Sequence, residues 1–541
     1  MSGRSDNATN RFGSSRFATE EELEAADLLR QRPESIFMGL FHGKPVYFHG
    51  PAGACVTAGG RSGKLRDFLS YNILTGTCLH SLLVLDPKAE AAYISQDQTA
   101  DGKFCAYWNP LGFHGLPQDS INFLGHIKID SPTLVSDVKV LWENMITERE
   151  GKNADYFTGR GREFGEAISL AIVELTGVLT FPSLYEAINL VPGGGEQWLD
   201  FAYHMSHSEF PLVRSVEAEI ANSRTSFGNG FDGIIGELMK SIVSLSDPLL
   251  MASVSPPFTM DMADMVSGDQ AWQVYLCPPA EFIGPWSSVI KSAFVSAMLL
   301  KSRAPAARRI TFFIDECGQL VSGDAGGFPM IPRLFSYGAG IGIQPVIILQ
   351  SNVQMNGLAP GAKEIIQSSS GATMMFAMRG DWASAQDCAR RMGNQTLTYD
   401  DQLSQQRAVH GRNQALQSLI SGGDPLQAGF ALAQHGFEEV HQTKQQRMLR
   451  TPDEIMNMPS DRAYLFHEDV EFPIELERRP YWEECKLAGR FQPNPYHPPI
   501  DLVRLRTFWG MRTRKVITEP VPQHYAHYPQ YRNRLWSRVK V

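Results

Sequence analysis

Ala54-Cys-Val-Thr-Ala-Gly-Gly-Arg-Ser-Gly-Lys-Leu65 is the stretch that decides the fold. Ala54–Thr57 is a short apolar run of strand character. A glycine-rich turn follows it, and Lys64–Leu74 then has the spacing of a helix. Strand, glycine turn and helix in that order build a phosphate cradle. Glycines let backbone N–H groups converge on an anion, a lysine reaches the terminal phosphates, and the helix N-terminus adds its positive end. The candidate binding residues are therefore Ala58, Gly59, Gly60, Arg61, Ser62, Gly63, Lys64 and Leu65. The loop departs from GxxxxGK[ST] at both ends: Ala58 replaces the first glycine, and Leu65 replaces the hydroxyl residue that ordinarily ligates Mg²⁺. The competing reading is a glycine turn with a chance Gly-Lys pair. The flanking strand and helix count against it.

Around this loop, apolar runs of strand length recur at Pro45–His49, Ser81–Leu85, Gln273–Leu276, Ile310–Ile314, Pro345–Leu349 and Thr373–Ala377. Helical patterns such as Ser287–Ser302 separate them. Strands alternating with helices predict an α/β fold with a parallel-rich central sheet. From about 128 to 265 strand signals are scarce. Val135–Thr147, Gly161–Leu175, Pro182–Leu190 and Gly233–Leu245 carry apolar residues at helical spacing, with Gly193–Gly195 as a turn. This predicts an inserted all-α domain. The expected division is a flexible N-terminus and short helix (1–40), the first part of the nucleotide-binding domain (41–127), the all-α insertion (128–265), the second part of the nucleotide-binding domain (266–485) and a basic Pro/Tyr-rich tail (486–541). Residues 1–18 read as disordered, and Thr19–Gln31 as a helix with a threonine cap. Asp401–Gln446, rich in glutamine, reads as a helical excursion or a mobile loop.

The 541 residues are 43% apolar and 20% charged, ordinary for a globular chain. A formal net charge of −9 argues against a globally basic nucleic-acid binder but not against a local basic channel. The seven cysteines form no CxxC pair and no zinc-like cluster, which suits a reducing compartment. No window approaches the roughly 20 apolar residues of a spanning helix, so the chain is expected to be cytoplasmic.

A second motif lies far downstream. Ile310-Thr-Phe-Phe-Ile-Asp315-Glu316 is a strand that ends in two carboxylates. In P-loop motors an aspartate at a strand end holds the Mg²⁺ hydration shell, and an adjacent glutamate polarises the attacking water. Asp315 is thus the candidate metal residue, acting through water, and Glu316 the candidate catalytic residue beside Lys64. Val346–Leu349 runs into Gln350, an amide placed to sense the γ-phosphate or orient water. The spacing from Asp315 to Gln350 fits one helix and one turn between neighbouring strands.

Together these blocks resemble the coupling-protein ATPases of type IV secretion and conjugation, the TraG/TraD type. The resemblance rests on Ala58–Lys64 (AGGRSGK), Leu83–Glu90 (LVLDPKAE), Tyr107–Leu111 (YWNPL), Ser120–Phe123 (SINF), Phe313–Leu320 (FIDECGQL), Gly340–Gln350 (GIGIQPVIILQ) and Arg447–Pro459 (RMLRTPDEIMNMP). It implies a RecA-like sheet, ATP and Mg²⁺ as cofactors, and a homo-oligomer in the form of a hexameric ring. It also implies delivery of a relaxase–DNA complex or effector proteins to a type IV secretion channel. The family usually begins with transmembrane helices, so a membrane-anchored partner would hold this chain at the cytoplasmic face of the inner membrane. Where many members have an arginine before Gly-Ile, this chain has Ala339, so either hydrolysis is slow or Arg333 or Arg379 supplies the cation. The alternative is a nucleotide-binding scaffold that docks substrates with little hydrolysis. A metabolic P-loop enzyme is disfavoured by the helical insertion.

Other features have plainer readings. Asp501–Val541 holds nine Lys/Arg against two acids. With Tyr525, Tyr528, Tyr531 and Trp536 it could bind phosphates and stack on bases, but packing on the motor is the favoured reading. Asp86 and Lys88 read as a structural ion pair. Met251–Met265 reads as adaptable packing.

Overall fold

The computed structural model describes residues 13–74, 78–96, 101–147, 154–225, 229–321, 326–400, 402–422, 424–440, 442–531 and 535–541. Its strands are β1 (Ile36–Phe41), β2 (Lys44–Phe48), β3 (Gly53–Thr57), β4 (Ser81–Leu85), β5 (Phe104–Trp108), β6 (Trp272–Leu276), β7 (Ile310–Ile314), β8 (Ile343–Leu349), β9 (Ser370–Phe376), β10 (Asn394–Asp400), β11 (Gln442–Met448), β12 (Arg462–His467), β13 (Val470–Glu477), β14 (Leu502–Thr507), β15 (Gly510–Pro520) and β16 (Leu535–Val539). By contacts the chain divides into two compact units, one of residues 19–377 and 459–541, the other of residues 1–18 and 378–458.

The larger unit is built on an 11-stranded sheet of order β2-β1-β13-β12-β9-β3-β8-β7-β4-β6-β5. From β9 to β5 every pairing is parallel. β3, β4, β6, β7 and β8 are buried along their whole length, which is why they read as mostly apolar runs, with Gln273, Thr311 and Gln344 as buried internal exceptions. β7 and β8 are neighbours in register Ile310↔Ile343, joined through the Met330–Ile341 helix, as the Asp315-to-Gln350 spacing predicts. β12, β13, β1 and β2 extend the sheet as antiparallel strands.

Between the paired strands β5 and β6 the chain makes a long crossover. It contains helices from Leu134–Met145 to Met262–Ser267. Trp142, Phe164, Leu184 and Ile220 of these helices share one apolar core with Leu83, Trp108, Phe312 and Ile347 of the sheet. Met260, Met262 and Met265 are buried in that core.

The C-terminal segment forms a three-stranded antiparallel sheet, β14-β15-β16. Val503, Leu505 and Val539 pack with Phe37, Leu40, Tyr47, Tyr71 and Ile94 in a second apolar cluster. Gln530 caps the edge strand: Cys105 N donates to its Oε1 at 3.0 Å, and its Nε2 donates to Lys103 O at 3.0 Å. Much of the predicted tail is thus sheet and core; its Arg532 and Arg534 lie outside the described residues.

The smaller unit contains the Trp382–Met392 helix and the β10–β11 ladder, which runs in register from Asn394↔Met448 to Asp400↔Gln442. Inside that ladder sit the helices Gln402–Ile420 and Pro425–Val440. A Cβ on Gly411 would meet the His435 ring at 2.6 Å, so the two helices approach closely where glycine allows it. Of the two expectations for the glutamine-rich segment, the helical one holds, and the ladder widens the excursion to 378–458. Residues 13–18 are not disordered: Ser14 bridges Gln395, Ser15 N donates to Asn394 O at 3.0 Å, and Ala18 is buried. Residues 1–12 lie outside the described residues. β1 also crosses the expected boundary at 40/41, because Ile36–Phe41 is buried throughout and pairs with β2.

Candidate functional site

β3 lies between β8 and β9, and its C-terminal end opens into the Ala58–Gly63 loop. The loop is pinned where it leaves the sheet. Ala58 N donates to Leu349 O of β8 at 2.8 Å, and Thr57 Oγ1 donates to Asn352 Oδ1 at 2.7 Å. Ser62 N donates to Gly59 O at 3.2 Å, closing a turn, and Asp67 N donates to Gly63 O at 2.8 Å as the helix begins. Arg61 and Gly63 take left-handed φ values of 58° and 89°. At Gly63 a Cβ would lie 2.9 Å from Asp67 Oδ2 and 3.0 Å from Arg66 Nη2, so conformation and space both call for glycine. At Gly60 a Cβ would meet nothing within 4 Å, so the crest of the loop is open. The Ser62 hydroxyl is buried without a hydrogen-bond partner among the described residues.

The Lys64 ammonium lies 2.7 Å from Asp315 Oδ1 and 2.5 Å from Glu316 Oε1. These residues follow β7, which β8 separates from β3. Consecutive side chains on an extended strand point to opposite faces. Glu316 breaks that alternation with φ 53°, so both carboxylates meet one ammonium. Glu316 N donates to Asp315 Oδ1 at 2.9 Å, and Gln350 Nε2 at the end of β8 donates to Glu316 Oε2 at 2.6 Å. The structure therefore brings together Lys64, Asp315, Glu316 and Gln350, which come from three separated segments.

These groups are largely withdrawn from water. The Lys64, Asp315 and Glu316 side chains are 16%, 15% and 17% exposed. Burial disfavours the Lys64 charge, but Asp315 and Glu316 outweigh it, and the lysine pKa is raised. Burial also raises the Asp315 pKa against the pull of Lys64, and Glu316 adds repulsion. The ion pair thus holds the lysine charged while the aspartate remains strained by its surroundings. Two carboxylates share one ammonium, and the excess negative charge favours a further cation.

Beneath the loop lies a second network that sequence reasoning missed. Asp67, with a fully buried side chain, accepts from Arg66 Nε at 2.5 Å and from Arg478 Nη1 at 3.1 Å. Arg478, just past β13, also donates to Ser62 O at 2.8 Å, to Arg462 O at 3.0 Å and to Ser460 O. Its guanidinium lies 3.8 Å from the centroid of the Phe376 ring. Burial lowers the Arg478 pKa to about 10. Asp67 stands three residues after Lys64, and an acid on the inner face of a buried helix requires a partner. That was the available signal; the partner itself lies 411 residues away.

Leu65 opens a π-helical turn, Leu65–Leu69, and packs against the second apolar cluster. Asp86 does not pair with Lys88 among the described residues. Lys88 is exposed, while Asp86 is buried and accepts from Glu90 N at 3.2 Å and Ala92 N at 2.8 Å. Burial, countered in part by these donors, raises the Asp86 pKa to about 7. Ala339 is exposed on the Met330–Ile341 helix, and Arg333 on that helix meets Glu143 at 3.3 Å. Arg379 belongs to the smaller unit. No described helix is long and apolar enough to cross a membrane.

The family model for conjugative DNA transfer by the type IV secretory system matches residues 7–419. The fold is similar to that of the bacterial conjugative coupling protein TrwBdeltaN70 in its unbound monoclinic form. That likeness has 14% identity and a TM-score of 0.56, over 87% of this chain and 94% of that one. The plasmid coupling protein TrwB in complex with ADP and Mg²⁺ is similar at 14% identity and a TM-score of 0.53, over 86% and 93% of the two chains. TrwB with the non-hydrolysable ATP analogue ADPNP gives 13%, 0.55, 87% and 95%. At these identities the likeness is one of fold, the RecA-like α/β arrangement. Among curated proteins none matches the sequence.

Proposed function

Since this chain belongs to the type IV secretory system conjugative DNA transfer family, we propose that it is an ATP-driven coupling protein that recruits and moves DNA, as a relaxase–DNA complex, or effector proteins toward a secretion channel. The observation that carries the reading is the Lys64 ammonium held between Asp315 and Glu316, with Gln350 on the outer oxygen of Glu316. The residues fit Mg²⁺–ATP. The loop has an open crest and an orphan hydroxyl at Ser62, and the carboxylates carry more charge than Lys64 neutralises.

Ala58–Leu65 would hold the phosphates, and Asp315 the Mg²⁺ through water. Bound Mg²⁺ supplies charge neutralisation for the phosphate oxygens. Lys64 would exchange its carboxylate partners for phosphate oxygens. Glu316, released from Lys64, would accept a proton from the water whose oxygen bonds the γ-phosphorus as the bond to the β–γ bridging oxygen breaks and ADP leaves. Gln350 keeps the glutamate oriented through its Oε2 contact. Phosphoryl transfer needs little more than such positioning and electrostatics. In a hexameric ring Arg333, half exposed on its helix, or Arg379 would be the candidate cation for a neighbour's nucleotide, since Ala339 carries no charge.

The test is Glu316→Gln beside the wild type, with ATP binding and turnover measured on the same samples. The reading predicts retained binding and turnover lowered at least about a hundredfold, the usual scale for loss of a general base. Equal turnover would refute it. A second reading, a scaffold that binds nucleotide and hydrolyses little, draws on Leu65, whose apolar side chain packs inward where a hydroxyl would serve Mg²⁺. It predicts tight ATP binding, negligible wild-type turnover and no further loss in Glu316→Gln.

A further inference from the structure

β14 and β15 form a hairpin whose turn carries two of the most exposed large apolar side chains in the described structure. Phe508 is 89% exposed and Trp509 80%. The turn is built rather than slack. Trp509 N donates to Thr507 Oγ1 at 3.3 Å, Thr507 Oγ1 donates to Gly510 O at 3.0 Å, and Gly510 supplies φ 101°. The base of the hairpin is anchored, because Val503 and Leu505 are buried in the second apolar cluster. The rings are therefore held out into water by a rigid stem, which neither turn formation nor core packing requires.

The stem is one-signed. Leu502–Lys515 contains Arg504, Arg506, Arg512, Arg514 and Lys515 and no acid, on a chain of net charge −9. Among the described residues none of these five meets a carboxylate within ion-pair distance, whereas Arg538 of β16 pairs with Glu519. Five unpaired cations behind an aromatic tip seek an anionic partner with an apolar interior.

We propose that this hairpin docks the protein peripherally on an anionic lipid surface, Phe508 and Trp509 entering the headgroup–acyl boundary and the arginines meeting lipid phosphates. The spacing fits. At roughly 3.3 Å per strand residue, Arg506 and Arg512 stand about 7–10 Å behind the rings. Interfacial apolar groups bury about 5–10 Å deep, with cations at the phosphate level. Trp is a side chain that favours this boundary. Nucleic acid suits the tip less well. The two rings are T-shaped, with an interplanar angle of 88°, and sit on a convex turn. Single-strand binders instead line a groove with ring faces on which successive bases stack. Nucleotide chemistry plays no part in this docking: the base of the hairpin shares the second apolar cluster with Leu65, but the exposed tip, Phe508 and Trp509, lies at its other end.

The experiment is flotation of the full-length protein with phosphatidylglycerol-containing vesicles and with pure phosphatidylcholine vesicles, at low and high salt. Wild type, Phe508→Ser/Trp509→Ser and Arg504→Gln/Arg506→Gln/Arg512→Gln are compared, each with a wild-type melting curve as the criterion of folding. The proposal predicts binding to anionic vesicles alone, weakened by salt and reduced at least about tenfold in both variants, an effect on the scale of a few lost cation contacts. It is overturned if anionic vesicles are not bound, or if neutral vesicles bind equally. It is also overturned if the tip variant floats like wild type while its affinity for single-stranded or duplex DNA falls; the surface would then belong to nucleic acid.

Discussion

Replacing Arg478 with methionine tests whether the phosphate loop depends on the buried pair beneath it. The Arg478 side chain is 1% exposed and that of Asp67 fully buried. Methionine keeps most of the packing on Phe376 but removes the donors to Ser62 O, Asp67, Arg462 O and Ser460 O. Breaking a buried ion pair from one side costs about 3–5 kcal/mol, because the remaining charge is left buried. Asp67 retains Arg66, whose side chain is 40% exposed, so the lower end applies, about 3 kcal/mol. At roughly 2–4 °C per kcal/mol for a large domain, the melting temperature falls about 6–12 °C. Ser62 O also loses its donor, so the loop relaxes and Mg²⁺–ATP affinity drops about tenfold, or roughly 1.4 kcal/mol. Arg478→Lys keeps the charge without the fork and falls between the two. The assays are thermal melts and titration of a fluorescent ATP analogue for Arg478→Met, Asp67→Asn and the double variant. The pair predicts a double variant less damaged than the sum of the singles, by at least about 1 kcal/mol. Additive losses, or Arg478→Met with unchanged melting and affinity, would refute the reasoning.

Three further outcomes follow from the same geometry. Gly63→Ala, with φ 89° and a Cβ 2.9 Å from Asp67 Oδ2, loses nucleotide binding, while Gly60→Ala, with open space around its Cβ, keeps the wild-type melting temperature; equal behaviour of the two in melting and analogue titration contradicts the loop geometry. Burial holds the Asp86 pKa near 7 against an ordinary 3.8. Between about pH 4 and 7 the folded state therefore keeps a proton that the unfolded chain has released, and stability falls as pH rises, by roughly 4 kcal/mol at most. Asp86→Asn removes that slope, which melts from pH 4.5 to 8 (~) of variant minus wild type would reveal. His126 is the converse case, its pKa pushed down to about 3 by burial and by Arg303. Below its ordinary 6.5 the unfolded chain binds a proton the folded state refuses, so stability is lost as pH falls toward about 3, and His126→Asn flattens the acid limb of the melting profile.

The central strands were legible because burial on both faces leaves few polar residues in the run: Ser81–Leu85 and Ile310–Ile314, with Thr311 as their one internal polar residue, match to the residue. β10 and β11 were not legible. Gln442–Met448 is Gln-Thr-Lys-Gln-Gln-Arg-Met, with no apolar alternation to mark it as a strand, yet it pairs with Asn394–Asp400 along its whole length. The tail concealed its strands because prolines and arginines surround the few inward residues, Val503, Leu505 and Val539. At the site, Asp315, Glu316 and Gln350 announce themselves by position just past strand ends, and Lys64 by closing the glycine loop at a helix start. Arg478 does not: its role depends on a contact with Asp67 across the fold, and no local spacing encodes a partner 411 residues away. The Asp86–Lys88 reading failed for a similar reason. Sequence proximity suggested a salt bridge, but the start of the Glu90–Ile94 helix offered Asp86 backbone donors instead.

The measurement that bears most directly on the account is steady-state ATP turnover of the purified protein, with and without DNA, for wild type and Lys64→Ala. The account predicts Mg²⁺-dependent turnover in the wild type, stimulated by DNA and abolished in Lys64→Ala. Equal rates for the two proteins would contradict it.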